Sequence, residues 1–343
     1  MIIAHINFAK GFRGGERQTA LLIQELSFRG YSQKLIVRQH SELIERLNQT
    51  KNLEIIQLSK PYAFHLSFIK DSDILHAHET KGAQFCFFAH LFYRLPYLVT
   101  RRVDKPVKKN FFNKSIYENS FYTIALSSAI KRRIQQISKK INIKIIPSAY
   151  SVIQSDNEKN SLLKTRFSNK FIIGNIGELD NSDKGQFYLI EAMKNIQQKY
   201  PNIHLILLGR GKDKEKYQEQ SKNLNNITFE GFVNNVPDYI SLFDAFIFPS
   251  LSEGLGSILF DVIQNKVPIG ASNVGGIPDI ISDNQTGLLF PPKNSKAIFD
   301  TIEKLYLSKE LRDKFSQNAY SKIEYFSPQV MAERYISLYD TIK

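Results

Sequence analysis

Residues 244–261 read D-A-F-I-F-P-S-L-S-E-G-L-G-S-I-L-F-D. Asp244 to Phe248 form a short apolar run suited to a buried parallel strand, and Pro249 ends it. Ser250 to Gly256 make a polar, glycine-bearing loop. Ser257 is then a good N-cap for a helix through Ile258, Leu259, Phe260, Asp261, Val262 and Ile263. The first amides of that helix carry the positive end of its dipole, and Gly254 and Gly256 let an anion approach the backbone without meeting a Cβ. A diphosphate fits there. Glu253 lies on the loop and Asp261 about one turn inside the helix, on the face of Ser257, so both carboxylates can face one crevice and accept hydrogen bonds from sugar hydroxyls. A capped surface helix with two solvated acids has the same short pattern, so the rest of the chain decides.

The chain has 343 residues, enough for two domains that each bury a core. Its single cysteine, Cys86, excludes an internal disulfide and a multi-cysteine zinc site, which suits a reducing cytosol. The start, Met1 to Ala9, has neither the basic nor the long apolar region of a signal peptide. The most apolar stretch, Ala83 to Val99, is broken by Gln84, His90, Arg94 and Pro96 and reads as a helix followed by a strand, so no membrane span is expected.

Charge is unevenly placed. Residues 1–170 hold 28 Lys and Arg against 12 Asp and Glu, net +16, while residues 171–343 hold 18 against 21, net −3. Residues 94–144 alone carry 13 basic side chains against Asp104 and Glu118. An anionic partner of the first half is implied: nucleic acid, an anionic membrane face, or a phosphorylated or carboxylated saccharide. Solvated helix faces of a lysine-rich protein give the same count.

Strand-like runs alternate with amphipathic stretches throughout, the pattern of an α/β class with parallel sheets covered on both faces. Strands are expected near Ile2–Asn7, Gln33–Val37, Ile74–His76, Tyr97–Thr100, Tyr122–Leu126 and Lys144–Ile146. A second set is expected near Phe171–Ile176, His204–Leu208, Ile227–Glu230, Ala245–Phe248, Pro268–Ala271 and Gly287–Leu289. The polar segment Ser151–Lys170 reads as the linker between them, and no internal repeat is evident. Ligands of an open parallel sheet bind at the carboxyl ends of its strands. There the first half offers Gly14-Gly15 at a helix start. The second offers Gly177-Glu178, then Asp183-Lys184-Gly185, and the cationic loop Gly209-Arg210-Gly211. A G-x-G-x-x-G fingerprint is absent, which argues against a dehydrogenase.

Taken in order, these pieces resemble the retaining glycosyltransferases of GT-B architecture, two facing Rossmann-like domains with a C-terminal crossing helix, and specifically the family 4 type. The motifs are G-G-E-R at Gly14–Arg17, D-I-L-H-A-H at Asp73–His78, I-P-S-A at Ile146–Ala149, G-N-I-G-E-L with D-K-G at Gly174–Gly185 and L-L-G-R-G at Leu207–Gly211. F-E-G-F-V at Phe229–Val233, the P-S-L-S-E-G-L-G block, G-G-I-P-D at Gly275–Asp279 and T-G-L-L-F-P-P at Thr286–Pro292 follow. The resemblance covers nearly the whole chain and implies domains at 1–165 (acceptor) and 166–325 (donor), with 326–343 as the helix returning to the first.

It also implies roles. Asp261 takes the place of a ribose-binding glutamate, so the family's E-x7-E is here E-x7-D. Glu253 matches the acid that contacts the transferred sugar, and Lys184 the lysine that neutralises the donor diphosphate. The arginine that accompanies that lysine is replaced by Glu178, and Arg210 is the candidate substitute. Val233 borders the base, while Gly14, Gly15, Gly177, Gly254 and the amides of Gly256, Ser257 and Ile258 meet the donor. Arg102 stands where many members carry a histidine, facing the leaving diphosphate or an anionic acceptor, or else paired with Asp104 at the surface. His78, Arg101, Lys105, Lys108 and Lys109 are the acceptor-side candidates. His76 reads as a structural histidine, and with no third ligand evident beside His76 and His78 no metal or other cofactor is expected.

The implied reaction moves a sugar from a nucleotide diphosphate sugar, with retention, to an anionic glycan or glycolipid in lipopolysaccharide or surface polysaccharide synthesis. The protein is expected to be cytoplasmic and peripheral at the inner, anionic membrane face, with no nucleic acid partner. A nucleotide-sugar 2-epimerase of the same architecture, an inactive donor-binding scaffold and a nucleic-acid binder are the alternatives. The acids and glycine loops speak against the last.

Overall fold

A computed structural model describes residues 1–108, 110–151 and 163–342. The chain divides into two compact units, Met1–Ala149 with Phe326–Lys343, and Tyr150–Tyr325. Most of the expected linker, and Lys109 among the acceptor candidates, lie outside the described residues.

The first unit is built on seven parallel strands: β1 (Ile2–Asn7), β2 (Ser32–Arg38), β3 (Leu53–Leu58), β4 (Ile74–Ala77), β5 (Tyr97–Arg101), β6 (Tyr122–Ala125) and β7 (Ile143–Ile145). Their order is β3-β2-β1-β4-β5-β6-β7. The second unit has β8 (Phe171–Ile176), β9 (Ile203–Leu208), β10 (Ile227–Gly231), β11 (Ala245–Phe248), β12 (Ile269–Ser272) and β13 (Leu288–Phe290), ordered β10-β9-β8-β11-β12-β13. Both are Rossmann-like parallel α/β sheets, as expected for the GT-B class. Central strands such as β1 and β11 are buried on both faces, which is why they read as near-continuous apolar runs. The expected set missed β3. It is an edge strand, L-E-I-I-Q-L, with Glu54 and Gln57 exposed, and it pairs only with β2.

In each sheet the order reverses between two adjacent strands, β1 and β4 in the first and β8 and β11 in the second. Connections there leave in opposite directions, opening a crevice at the carboxyl ends where ligands of such sheets bind. The first core gathers Ile3, Leu22, Leu26, Ile74, Leu98 and Ile124 with Met331, Ala332, Tyr335 and Tyr339 from helix Pro328–Asp340. That helix starts cleanly, with Ser327 Oγ accepting from the Val330 amide at 3.2 Å and Pro328 in its first turn. The second core lies around Ile173, Leu189, Ile190, Met193, Leu205 and Ile247.

Candidate functional site

At the second sheet's reversal, the loop after β8 carries Lys184 and the loop after β11 carries Glu253. Their side chains form an ion pair between Lys184 Nζ and Glu253 Oε1, both largely withdrawn from solvent. The two loops are stitched together, since the Leu251 and Ser252 amides both donate to the Asp183 carbonyl at 2.8 and 3.2 Å. Glu253 is held from the other side as well. Its carbonyl accepts from the Gly276 amide at 3.2 Å, and a Cβ on Gly275, whose φ is +56°, would come within 1.8 Å of that oxygen. Only glycine permits this approach. A similar contact brings the β9 loop in, where a Cβ on Gly209 would meet the Gly177 carbonyl at 1.9 Å. Gly177, Lys184, Arg210 and Glu253 therefore sit on one continuous loop surface at the carboxyl edge.

The helix expected after Ser257 is present as Ile258–Gln264, but Ser257 does not cap it as expected. Its own backbone is already helical (φ −59°, ψ −20°), so the hydroxyl cannot fold back onto the following amides as an extended cap residue does. Instead the Leu259 and Phe260 amides bond to the Gly256 and Ser257 carbonyls at 2.9 and 3.2 Å, tightening the first turn. Gly256, Ser257 and Ile258 lead that turn. Gly254, just before it, is partly buried, and Asp261 is buried within the turn, so the reading of two solvated acids does not hold. Arg210 is exposed and lies over the Phe232 ring at 4.9 Å, next to half-buried Val233, while Glu178 is exposed. The structure thus places Arg210 beside the segment expected to border the base.

The first sheet's reversal gathers three histidines. The β1–β4 register sets His5 opposite His76, and His78 follows β4. Their ligating atoms lie within 4.8 Å of one another, so the expectation that no third ligand stands near His76 and His78 is corrected: His5 was hidden by its distance in sequence. All six ring nitrogens have hydrogen-bond partners. His76 bonds Tyr339 Oη and Thr100 Oγ1, both at 2.7 Å, and Thr100 Oγ1 bonds Tyr335 Oη at 3.0 Å. His5 Nδ1 meets His78 Nε2 at 3.0 Å and His5 Nε2 meets Gln33 Oε1 at 3.1 Å. Arg102 Nη2 meets His78 Nδ1 at 3.2 Å. Burial lowers the pKa of all three rings, His5 to about 3 and His76 and His78 well below the ordinary value, so they are neutral at pH 7.

Arg102 therefore points inward to His78 rather than pairing with Asp104, which bonds Arg133 Nε at 3.0 Å. It lies against Gly15, where a Cβ would come within 3.3 Å of Arg102 Cδ; Gly14 beside it is exposed. Arg101 is also buried, its guanidinium donating to Tyr117 Oη at 3.4 Å and to the Lys105 carbonyl, so it holds the loop after β5 instead of facing solvent. Lys105 and Lys108 are exposed. Glu79 was not singled out from the sequence. Its carboxylate accepts from the Lys81 and Gly82 amides at 2.7 and 2.6 Å, closing the N-terminus of helix Thr80–Tyr93.

Residues 156–322 match the family model of glycosyl transferases group 1. The chain is 28% identical over 236 residues to the capsular polysaccharide biosynthesis glycosyltransferase CapM of Staphylococcus aureus, covering 64% of this chain and 61% of that protein. It is 21% identical over 354 aligned positions to the lipopolysaccharide core biosynthesis glycosyltransferase LpsE of Rhizobium meliloti, covering 98% of each. Among solved structures, a glycosyltransferase from Rickettsia africae superposes with a TM-score of 0.86 at 21% identity, over 99% of this chain and 98% of that one. Anabaena HepE in complex with UDP and glucose gives 0.84 at 17%, over 99% and 100%. These likenesses show a shared GT-B fold.

Proposed function

We propose that this protein is a retaining glycosyltransferase of the family 4 type that moves a sugar from a nucleotide diphosphate sugar to a glycan or glycolipid, in lipopolysaccharide or surface polysaccharide synthesis. The observation that carries the reading is the Lys184–Glu253 pair at the reversal of the second sheet, on the unit that contains the family match. The polysaccharide-linked relatives support the acceptor class, and the UDP bound by HepE makes a UDP-sugar the first donor to try.

As the glycosidic bond breaks, positive charge grows on the sugar ring and negative charge on the diphosphate. Lys184 and the amides of Gly256, Ser257 and Ile258 would hold the diphosphate, and their hold strengthens in the transition state. Glu253 orients the sugar, Asp261 takes the ribose, and Val233 with Arg210 on Phe232 borders the base. The leaving phosphate assists deprotonation of the acceptor, and no covalent nucleophile is assigned. Lys184 supplies the positive charge that a metal ion supplies elsewhere, so the reaction is proposed to need no metal. The acceptor is proposed to be anionic and to meet the basic first unit at the cytoplasmic membrane face. No helix among the described residues is long and apolar enough to cross a membrane.

Glu253→Gln tests the assignment. Turnover should fall by about 100-fold, the scale of losing one group that stabilises a transition state, with donor affinity little changed. Wild-type turnover in that variant, measured by release of nucleoside diphosphate, would remove Glu253 from the mechanism.

A further inference from the structure

The hydrogen-bond chain ending at Arg102 can be followed proton by proton. Gln33 Nε2 donates to the Ile23 carbonyl at 3.1 Å, which turns Gln33 Oε1 toward His5 as an acceptor. His5 Nε2 therefore carries the hydrogen, and in the neutral ring Nδ1 is a lone pair. From the other end, a guanidinium can only donate, so His78 Nδ1 is a lone pair toward Arg102 and His78 Nε2 carries the hydrogen. The central contact, His78 Nε2 to His5 Nδ1 at 3.0 Å, then has one donor and one acceptor. The two ends fix the same direction independently.

We propose that His5 is a positioning residue: its Nδ1 lone pair orients the His78 ring, whose own Nδ1 holds the Arg102 guanidinium against Gly15 for an anionic ligand. A ring nitrogen's role is set by what the opposite nitrogen bonds, so each link passes its geometry to the next. Arg102 Nε is buried with no hydrogen-bond partner, and a buried donor left unbonded is costly. An anion at the start of helix Gly14–Phe28 would satisfy it, and Gly15 there packs against Arg102, where a Cβ would lie 3.3 Å from Cδ and 3.8 Å from Nε. Glu16 of that helix, Tyr335 of helix Pro328–Asp340 and His76 of β4 also face Arg102. The direction of the chain also explains why the rings must stay neutral. A proton on His78 Nδ1 would set donor against donor at Arg102.

What Arg102 is for rests on the glycosyl-transfer reading; how it is held does not. The test therefore uses the full chain with isotope-labelled histidine rings and arginine side chains, followed by nitrogen NMR. In the wild-type protein at pH 7, His5 and His78 should both show the Nε2–H tautomer, and Arg102 should show restricted rotation of its guanidinium. His5→Leu should release that rotation, and His5→Asn, whose amide oxygen takes the place of Nδ1, should restore it. Turnover should follow the same order, with His5→Leu roughly tenfold below wild type and His5→Asn close to it, in line with the loss of a hydrogen bond to a charged group. Any other tautomer in the wild-type protein, a reading that needs no variant, would overturn the proposal. So would Arg102 signals that are identical in wild type and His5→Leu. If the tautomers and the Arg102 signals are as stated but no nucleotide sugar is turned over, the positioning stands and the transfer reading fails.

Discussion

Lys184 and Glu253 each already hold a stand-in for the ligand proposed for them, Lys184 an anion and Glu253 a hydrogen-bond donor. A diphosphate competes for the ammonium while a sugar hydroxyl donates to the carboxylate, so donor binding exchanges partners rather than burying a bare charge. The three histidines work differently, because they contribute only while neutral. Their pKa values are lowered on folding, so below the ordinary value of 6.5 the unfolded chain takes up protons that the folded chain refuses. Their stabilising effect is complete above that pH and is lost as pH falls below it, for His5 toward about 3. Thermal midpoints should therefore drop steeply between pH 6.5 and 5, and less steeply in His5→Asn. Identical pH profiles in the two proteins would contradict this. The loop positions of Glu253 and Lys184 were readable in the sequence because each follows a local strand pattern. His5 was not, because only the β1–β4 register, a long-range pairing, brings it to His76.

Helix Pro328–Asp340 shows how one element can serve both fold and site. Tyr339 and Tyr335 are buried in the first core and end on His76 and Thr100, so the helix braces the strand ends that lead to His78 and Arg102. Tyr339→Phe would keep the packing but leave His76 Nδ1 buried without its partner. It should cost about 1–3 kcal/mol in a denaturant titration, and an unchanged midpoint would show that the hydroxyl carries no weight. Buried strands were easy to locate, since burial on both faces forces a continuous apolar run. Edge strand β3 escaped because exposed polar positions interrupt its run, and the start of helix Ile258–Gln264 was placed correctly while its capping was not. A serine at the right position says nothing of its own backbone angles.

Across the whole molecule, the basic excess and the family match fall on largely different parts of the chain. The excess lies in residues 1–170, whereas the match covers 156–322. Phe92 and Phe111 are largely exposed, with Arg94, Lys108 and Lys114 close by in sequence, a composition suited to an anionic lipid surface. Replacing Lys105 and Lys108 with Gln should weaken co-sedimentation with anionic liposomes by roughly tenfold or more, at about 1 kcal/mol per lysine. Equal binding by the variant, or equal binding to neutral liposomes, would refute a charge-driven membrane contact. We propose that the second unit holds a nucleotide diphosphate sugar through Lys184. Calorimetric titration of wild type and Lys184→Ala with UDP, GDP and ADP sugars tests this. One of these donors should bind the wild-type protein saturably and at least about tenfold more weakly to the variant, as expected for removal of a charged phosphate contact. Binding of none of them, or equal affinity in both proteins, would contradict the claim.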